Sequence, residues 1–120
     1  MEFRGIYTPA ITPLASDMSI DWAGFAAILE HLIAAGVHGI VIGGTTGEYY
    51  AHSSEERLES LRRAKDIVAG RVALIGGTGA VRTEESVELA LAIREMGYDA
   101  LLVTTPPYAQ PTPRENALHA

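Results

Sequence analysis

The sequence feature that most constrains the fold is a repeated pattern in which a glycine precedes a short apolar run. Residues 35–42 read Ala-Gly-Val-His-Gly-Ile-Val-Ile, residues 96–103 read Met-Gly-Tyr-Asp-Ala-Leu-Leu-Val, and residues 69–75 form a looser copy. Glycine readily adopts the left-handed conformation that ends many helices, and an unbroken apolar run is typical of a strand buried on both faces. The pattern therefore predicts a helix that ends at each glycine and a buried strand that follows it.

Amphipathic spacing ahead of each glycine predicts the helices. Asp21 caps the first helix, Ser53 and Glu56 have the spacing of a capping box before the second, and the third and fourth begin near Thr83 and Thr112. The apolar residues expected to face inward are Trp22, Phe25, Ile28, Leu29, Leu32 and Ile33 in the first helix, Leu58, Leu61, Ala64, Ile67 and Val68 in the second, and Val87, Ala90, Leu91 and Ile93 in the third.

The alternation of strands and helices predicts an α/β fold with a parallel sheet. Residues 5–13 predict a first strand that is irregular or lies at an edge, because Pro9 cannot donate to a strand ladder. Strands that alternate with helices pair in parallel through right-handed crossovers. Two architectures fit this order: an open doubly wound sheet, or part of a (β/α)8 barrel.

Composition and charge exclude several classes of function. A net charge of -6 with scattered basic residues argues against nucleic acid as a partner. The chain has no cysteine, and its four histidines lack the spacing of metal ligands, so we expect no metal site. No apolar stretch is long enough to cross a bilayer, and residues 1–4 do not resemble a signal peptide, so we expect a cytoplasmic protein without a membrane partner.

Glycine- and threonine-rich segments follow three of the predicted strands. In parallel α/β folds, functional groups gather at the carboxyl ends of strands, and glycine-rich turns leave amide groups open to a carboxylate or phosphate. Such segments are also common as tight turns, and neither the P-loop nor the dinucleotide fingerprint is present, so we expect no nucleotide cofactor. The segments are Gly43-Gly44-Thr45-Thr46-Gly47-Glu48, Gly76-Gly77-Thr78-Gly79-Ala80 and Thr104-Thr105-Pro106-Pro107-Tyr108.

The order and spacing of these three segments resemble those of the dihydrodipicolinate synthase and N-acetylneuraminate lyase family. Thr12-Pro13 is also similar to the family's N-terminal signature. The resemblance implies a (β/α)8 TIM barrel without a cofactor, usually a homotetramer, in which a lysine forms a Schiff base with pyruvate or another 2-oxo acid that then exchanges with an aldehyde. It further implies that the 2-oxo acid is bound by Gly44, Thr46 and Gly47, that Thr45 relays protons, and that Tyr108 is donated across a dimer interface.

The resemblance also implies further βα units and a Schiff-base lysine that this sequence does not contain. A (β/α)8 barrel needs about 250 residues, so we expect residues 1–120 to form one partial domain, about four βα units, that stops within the fourth helix. A Schiff-base lysine is expected at a strand end, whereas the one lysine here, Lys65, lies among charged neighbours in a predicted helix. The family's lysine comes from a later strand, so we expect this chain alone to be inactive.

Three interpretations of function stay open. The leading one is the N-terminal part of a Schiff-base-forming lyase or synthase that uses pyruvate. The alternatives are a sugar-acid aldolase or dehydratase of the same family, and a non-catalytic βα domain that binds a small anion. Tyr49 and Tyr50, which follow the first glycine-rich segment, either line the pocket or pack beneath it.

Overall fold

Strands and helices alternate along the computed structural model, which describes residues 2–120. The parallel sheet contains β1 (Tyr7–Pro9), β2 (Gly39–Ile42), β3 (Ala73–Gly77) and β4 (Ala100–Leu102). The helices are α1 (Trp22–Ala34), α2 (Ser54–Val68), α3 (Thr83–Glu95) and α4 (Pro113–His119), and a short 3-10 helix at Tyr49–Ala51 precedes α2. The predicted order of elements is confirmed.

The strand order separates the two architectures that the sequence leaves open. Each strand pairs with the next one along the chain, in the order β1-β2-β3-β4 without a reversal. A doubly wound sheet reverses its strand order at a switch point, whereas the strands of a barrel follow one another in sequence. The order is therefore that of consecutive units of a (β/α)8 barrel, with β1 at one edge as the position of Pro9 predicts.

The helix boundaries have the causes that the sequence indicates. The Asp21 carboxylate accepts a hydrogen bond from the backbone N–H of Gly24, and Ser53 and Glu56 form a reciprocal capping box. The glycines that follow α1, α2 and α3 have φ values of 84°, 76° and 73°, in the left-handed region (Gly36, Gly70 and Gly97). No helix within residues 2–120 combines the length and the apolar character needed to cross a membrane.

The hydrophobic core lies between one face of the sheet and the helices that cover it. Its most buried side chains are at most 2% exposed, and burying one such side chain contributes roughly 1.5–3 kcal/mol. The helices are thereby held behind the strands, which leaves the strand ends free to carry loops. These core residues are Phe25, Leu29, Ile40, Ile42, Leu61, Ala64, Val68, Leu74 and Ile93.

Two residues of α3 that the apolar pattern assigns to the interior are exposed. Val87 and Leu91 are 49% and 45% exposed, whereas Ser86, Leu89 and Ile93 are buried. That prediction was wrong because the other elements within residues 2–120 cover only part of the apolar surface of α3.

The last strand is also less buried than its apolar run predicts. Leu101 and Leu102 of β4 are 40% and 39% exposed. Burial on both faces is correct for β2, which has neighbours on both sides, and wrong for β4, because no strand within residues 2–120 pairs with its outer edge.

The close approach of α3 to β3 depends on Gly76, and this contact can be tested. A Cβ added at Gly76 would lie 2.8 Å from two carbon atoms of Ile93. Gly76→Ala should lower the free energy of unfolding by about 1–3 kcal/mol through overpacking, and Ile93→Ala by about 2–5 kcal/mol through a cavity. The double variant should lose less than the sum of the two, because the new methyl group fills part of the cavity. Urea denaturation of the four proteins measures these losses, and strict additivity would contradict the contact.

Candidate functional site

The loops after β1, β2 and β3 meet at the carboxyl edge of the sheet. The Thr12 hydroxyl donates a hydrogen bond to the carbonyl oxygen of Gly47 at 2.8 Å, which joins the first loop to the second. The second and third loops touch through their backbones, since a Cβ added at Gly77 would lie only 2.1 Å from the carbonyl oxygen of Gly43. The first two glycine-rich segments of the sequence are therefore neighbours in space.

The loop after β2 presents two threonines on a tight turn. Gly44 and Gly47 are buried, whereas Thr45 and Thr46 are exposed. The N–H of Gly47 donates to the carbonyl oxygen of Gly44 at 3.1 Å, and the N–H of Glu48 donates to that of Thr45 at 2.9 Å. The amide hydrogens of Thr45 and Thr46 have no hydrogen-bond acceptor within residues 2–120. Successive open amides on a turn form a concavity that attracts an anion.

The loop after β3 has a mainly structural part in this arrangement. Thr78 is fully buried, and its backbone N–H donates to the carbonyl oxygen of Leu102 at 3.1 Å. This bond ties the end of β3 to the end of β4. Thr78 therefore fixes the edge of the sheet, and the exposed hydroxyls of the site come from Thr45 and Thr46.

Arg57 of α2 lies buried against the third loop, with 6% of its surface exposed. Its Nη1 donates to the carbonyl oxygen of Gly79 at 2.8 Å and its Nη2 to that of Gly77 at 3.4 Å. The guanidinium carbon lies 4.9 Å from the ring centre of Tyr49, a cation–π contact. Burial lowers the pKa of Arg57, and the carboxylate of Glu85, whose closest atom is 3.9 Å away, opposes this shift.

Sequence reasoning missed Arg57 because it began the buried stripe of α2 at Leu58. The signal was nevertheless present, since Arg57 precedes Leu61 by four residues and Ala64 by seven. Residues at this spacing share one face of a helix. Arg57 is buried on this face because the neighbouring loop supplies acceptors for its donors.

Tyr49 and Tyr50, which follow the second loop, line one cavity together with Arg57 and Gly79. Tyr49 packs against the third loop, so that a Cβ added at Gly79 would lie 2.7 Å from its ring. Tyr50 is 65% exposed. Beneath the second loop, near His52 and Arg57, lies a cavity of about 10 Å³, the size of one water molecule. A cavity of this size has no room for a small organic anion.

Two further residues of the sequence-based interpretation, Tyr108 and Lys65, have no hydrogen bond to this turn within residues 2–120. Tyr108, in the loop between β4 and α4, is fully exposed with a φ of 70°, and no hydrogen bond within residues 2–120 joins it to Thr45. Lys65 donates from Nζ to the carbonyl oxygen of Gly97, which precedes β4 and lies at the amino end of the strands. Lys65 is therefore at the opposite end of the sheet from Thr45 and Thr46.

No group of three or more potential metal ligands lies together in the part of the chain that the structure describes. The polar groups of the site are backbone amides, hydroxyls and one buried guanidinium. Open amides and hydroxyls of this kind are able to donate hydrogen bonds to an anion.

The backbone contact between the second and third loops predicts different outcomes at two glycines. Gly77→Ala should lower the free energy of unfolding by about 3 kcal/mol or more, because its methyl group would collide with the backbone of Gly43. Gly44→Ala is the matched control, since its added Cβ would lie 3.6 Å from Val41 and 3.7 Å from Leu102, ordinary contact distances. It should change stability by less than about 1 kcal/mol. Equal losses in thermal or urea denaturation would contradict the contact.

Comparison with known proteins identifies relatives along the whole described chain. The model of the Dihydrodipicolinate synthetase family matches residues 2–120. The 4-hydroxy-tetrahydrodipicolinate synthase of Magnetococcus marinus is 42% identical over 110 residues, which are 92% of this chain and 37% of that protein. That of Cellvibrio japonicus is 38% identical over 116 residues, 97% of this chain and 40% of that protein. The chain thus spans about two fifths of the length of the curated relatives it matches.

Solved structures give the same result for the fold. The dihydrodipicolinate synthase from Aquifex aeolicus matches with a TM-score of 0.92 and 33% identity, over 98% of this chain and 40% of that one. The chloride-inhibited dihydrodipicolinate synthase from Acinetobacter baumannii, solved in complex with pyruvate, matches with a TM-score of 0.91 and 35% identity, over 96% and 40% of the two chains. These relatives are TIM barrels, so the predicted half barrel is confirmed.

Proposed function

Because this chain belongs to the dihydrodipicolinate synthetase family, we propose that it supplies the carboxylate-binding half of the active site of a pyruvate-dependent synthase. The observation that carries the proposal is the turn at Thr45 and Thr46, which is exposed at the carboxyl end of β2 and has two open amides. The full-length protein is then a lyase of the class I aldolase type. Its substrates are a 2-oxo acid such as pyruvate and an aldehyde.

The carboxylate of the 2-oxo acid is held by Thr46, through its backbone amide and hydroxyl. Gly44 and Gly47 are buried and shape the turn, so the carboxylate approaches the backbone without a side chain in its way. A hydrogen bond to a charged group contributes roughly 1.5–3 kcal/mol, enough for two such bonds to select a carboxylate over a neutral group. The pyruvate complex of the Acinetobacter baumannii relative supports this choice of substrate.

Thr45 and Tyr108 move protons in the proposed reaction. When a lysine amine adds to the ketone of the 2-oxo acid, the carbinol oxygen must gain a proton before it leaves as water. A hydroxyl relay from Thr45 through a tyrosine supplies that proton. Full exposure of Tyr108 supports its donation to the site of a second copy, and so a homo-oligomeric full-length protein. From the family resemblance we also propose that this oligomer is a tetramer and that it lies in the cytoplasm.

The Schiff-base lysine comes from a part of the full-length protein outside this chain. An amine that attacks a ketone must lie within reach of it in a pocket that lowers its pKa. Lys65 is half-buried on α2 and bonded to a carbonyl oxygen at the other end of the sheet. It therefore stabilises the helix ends and takes no part in imine formation.

Borohydride trapping with pyruvate tests the proposal directly. The full-length protein should gain the mass of one reduced pyruvyl group per subunit, on a lysine outside residues 1–120, because borohydride reduces the imine to a stable amine. Lys65→Arg should trap to the same extent as the wild type. Thr46→Val should need about tenfold more pyruvate for half-maximal trapping, since it loses the bond of the hydroxyl.

The 120-residue chain alone is the matched negative control for this measurement. It should gain no adduct, because it lacks the lysine. An adduct on Lys65, or the absence of any adduct on the full-length protein, would contradict the Schiff-base mechanism. The second of these outcomes is the one expected for a non-catalytic anion-binding domain.

A further inference from the structure

We propose that Arg57 is a positioning residue that holds the second and third loops together and so sets the geometry of the turn at Thr45 and Thr46. This inference rests on the proposed function of that turn. Arg57 itself lies in α2, buried beneath the loops, and its task is to act through the backbone atoms and the ring that it contacts.

The buried guanidinium has contacts that packing alone does not require. A charged group inside a protein is costly unless its donors are satisfied, and an apolar side chain of similar size fills space without that cost. Arg57 reaches two carbonyl oxygens of one loop, those of Gly77 and Gly79, with the two nitrogens of one planar fork. A fork of this kind fixes the relative orientation of both acceptors, which a lysine or an apolar residue cannot do.

Tyr49 transmits this arrangement to the turn that binds the anion. It follows Thr46 by three residues, and its ring packs against both the Arg57 guanidinium and Gly79. The hydrogen bond from Thr12 to the carbonyl oxygen of Gly47 holds the same side of the turn. On its other side, Gly43 packs against the backbone of Gly77. The turn at Thr45 and Thr46 is therefore anchored at both ends.

The charged groups around Arg57 belong to both helices that meet at the site. Glu85, from α3, is partly exposed, and its nearest carboxylate oxygen lies 3.9 Å from Nη1 of Arg57. Glu56, from α2, lies 3.8 Å from His52, which lines the small cavity beneath the second loop together with Arg57. Neither carboxylate forms a paired, bidentate contact with Arg57. The guanidinium is thus directed mainly at the loop carbonyls.

Kinetics of the full-length protein with Arg57→Met test this role. Methionine retains length and apolar volume but has no donor, so the two loops lose their link while the core stays filled. The KM for pyruvate should rise about tenfold while kcat changes by less than about twofold, because a displaced carboxylate site weakens ground-state and transition-state binding alike. Arg57→Lys, which keeps the charge but not the fork, should give an intermediate KM.

Arg62→Met is the matched control. Arg62 lies on the same helix, is 58% exposed in its side chain and pairs with Glu59. Its substitution should leave the KM for pyruvate unchanged. In hydrogen–deuterium exchange, Arg57→Met should accelerate exchange in peptides that cover residues 43–50 and 76–81, whereas Arg62→Met should leave both peptides as in the wild type.

The outcomes separate failure of this inference from failure of the proposed function. If the wild type forms no pyruvyl adduct with borohydride, the proposed function fails, and the exchange experiment alone decides whether Arg57 links the loops. If the wild type traps pyruvate but Arg57→Met lowers only Tm and leaves KM and loop exchange unchanged, the positioning role is overturned. If Arg57→Met does not fold, Arg57→Lys decides, and an unchanged KM in that variant overturns the role.

Discussion

The site depends on the contact between the backbones of Gly43 and Gly77. No side chain fits at Gly77, because its Cβ would lie 2.1 Å from the carbonyl oxygen of Gly43. The ends of β2 and β3 therefore leave no room for a side chain between them, and their loops leave the sheet side by side. This proximity allows one arginine to contact the carbonyl oxygens of the third loop and the tyrosine of the second. A larger residue at position 77 would separate the parts of the site.

The two ends of the parallel sheet carry different kinds of interaction. At the amino end, side chains bind backbone groups that the elements leave open: Lys65 donates to the carbonyl oxygen of Gly97, and the Asp99 carboxylate accepts from the N–H of Leu74 at 2.8 Å. These contacts satisfy helix and strand termini. At the carboxyl end, the exposed amides of Thr45 and Thr46 have no partner within residues 2–120. Parallel pairing gathers the strand ends of one type, so Lys65 and the open amides of Thr45 and Thr46 lie at opposite edges of the sheet.

The ends of the helices depend on residues that are close in the sequence, so they could be predicted. The exposure of a side chain depends on which other elements cover it, so it could not. The left-handed glycines and the caps at Asp21 and Ser53 act within one helical turn, so the local pattern determines them. The exposure of Leu91 and Leu102 depends on which elements lie beside α3 and β4, and an apolar stripe gives no information about that. The resemblance of the loop segments predicted a site at the strand ends, and the loops after β2 and β3 do meet there. Arg57 was missed because an arginine on an apolar stripe is expected to be solvated, whereas its partners lie twenty or more residues away along the chain.

The guanidinium of Arg57 has hydrogen-bond partners inside the protein, whereas the amides of Thr45 and Thr46 are open. This difference explains how the turn can have a fixed shape before a ligand binds. A buried polar group without a hydrogen-bond partner lowers the stability of the folded protein. The guanidinium of Arg57 accordingly donates to two backbone carbonyl oxygens. An exposed amide carries no such cost, because water hydrogen-bonds to it until a ligand replaces the water. The turn at Thr45 and Thr46 can therefore keep its amides open while the contacts beneath it, through Tyr49 and Gly47, fix its shape. In the proposed function, the affinity of this turn for a carboxylate is then not reduced by the cost of ordering the loop at the moment of binding.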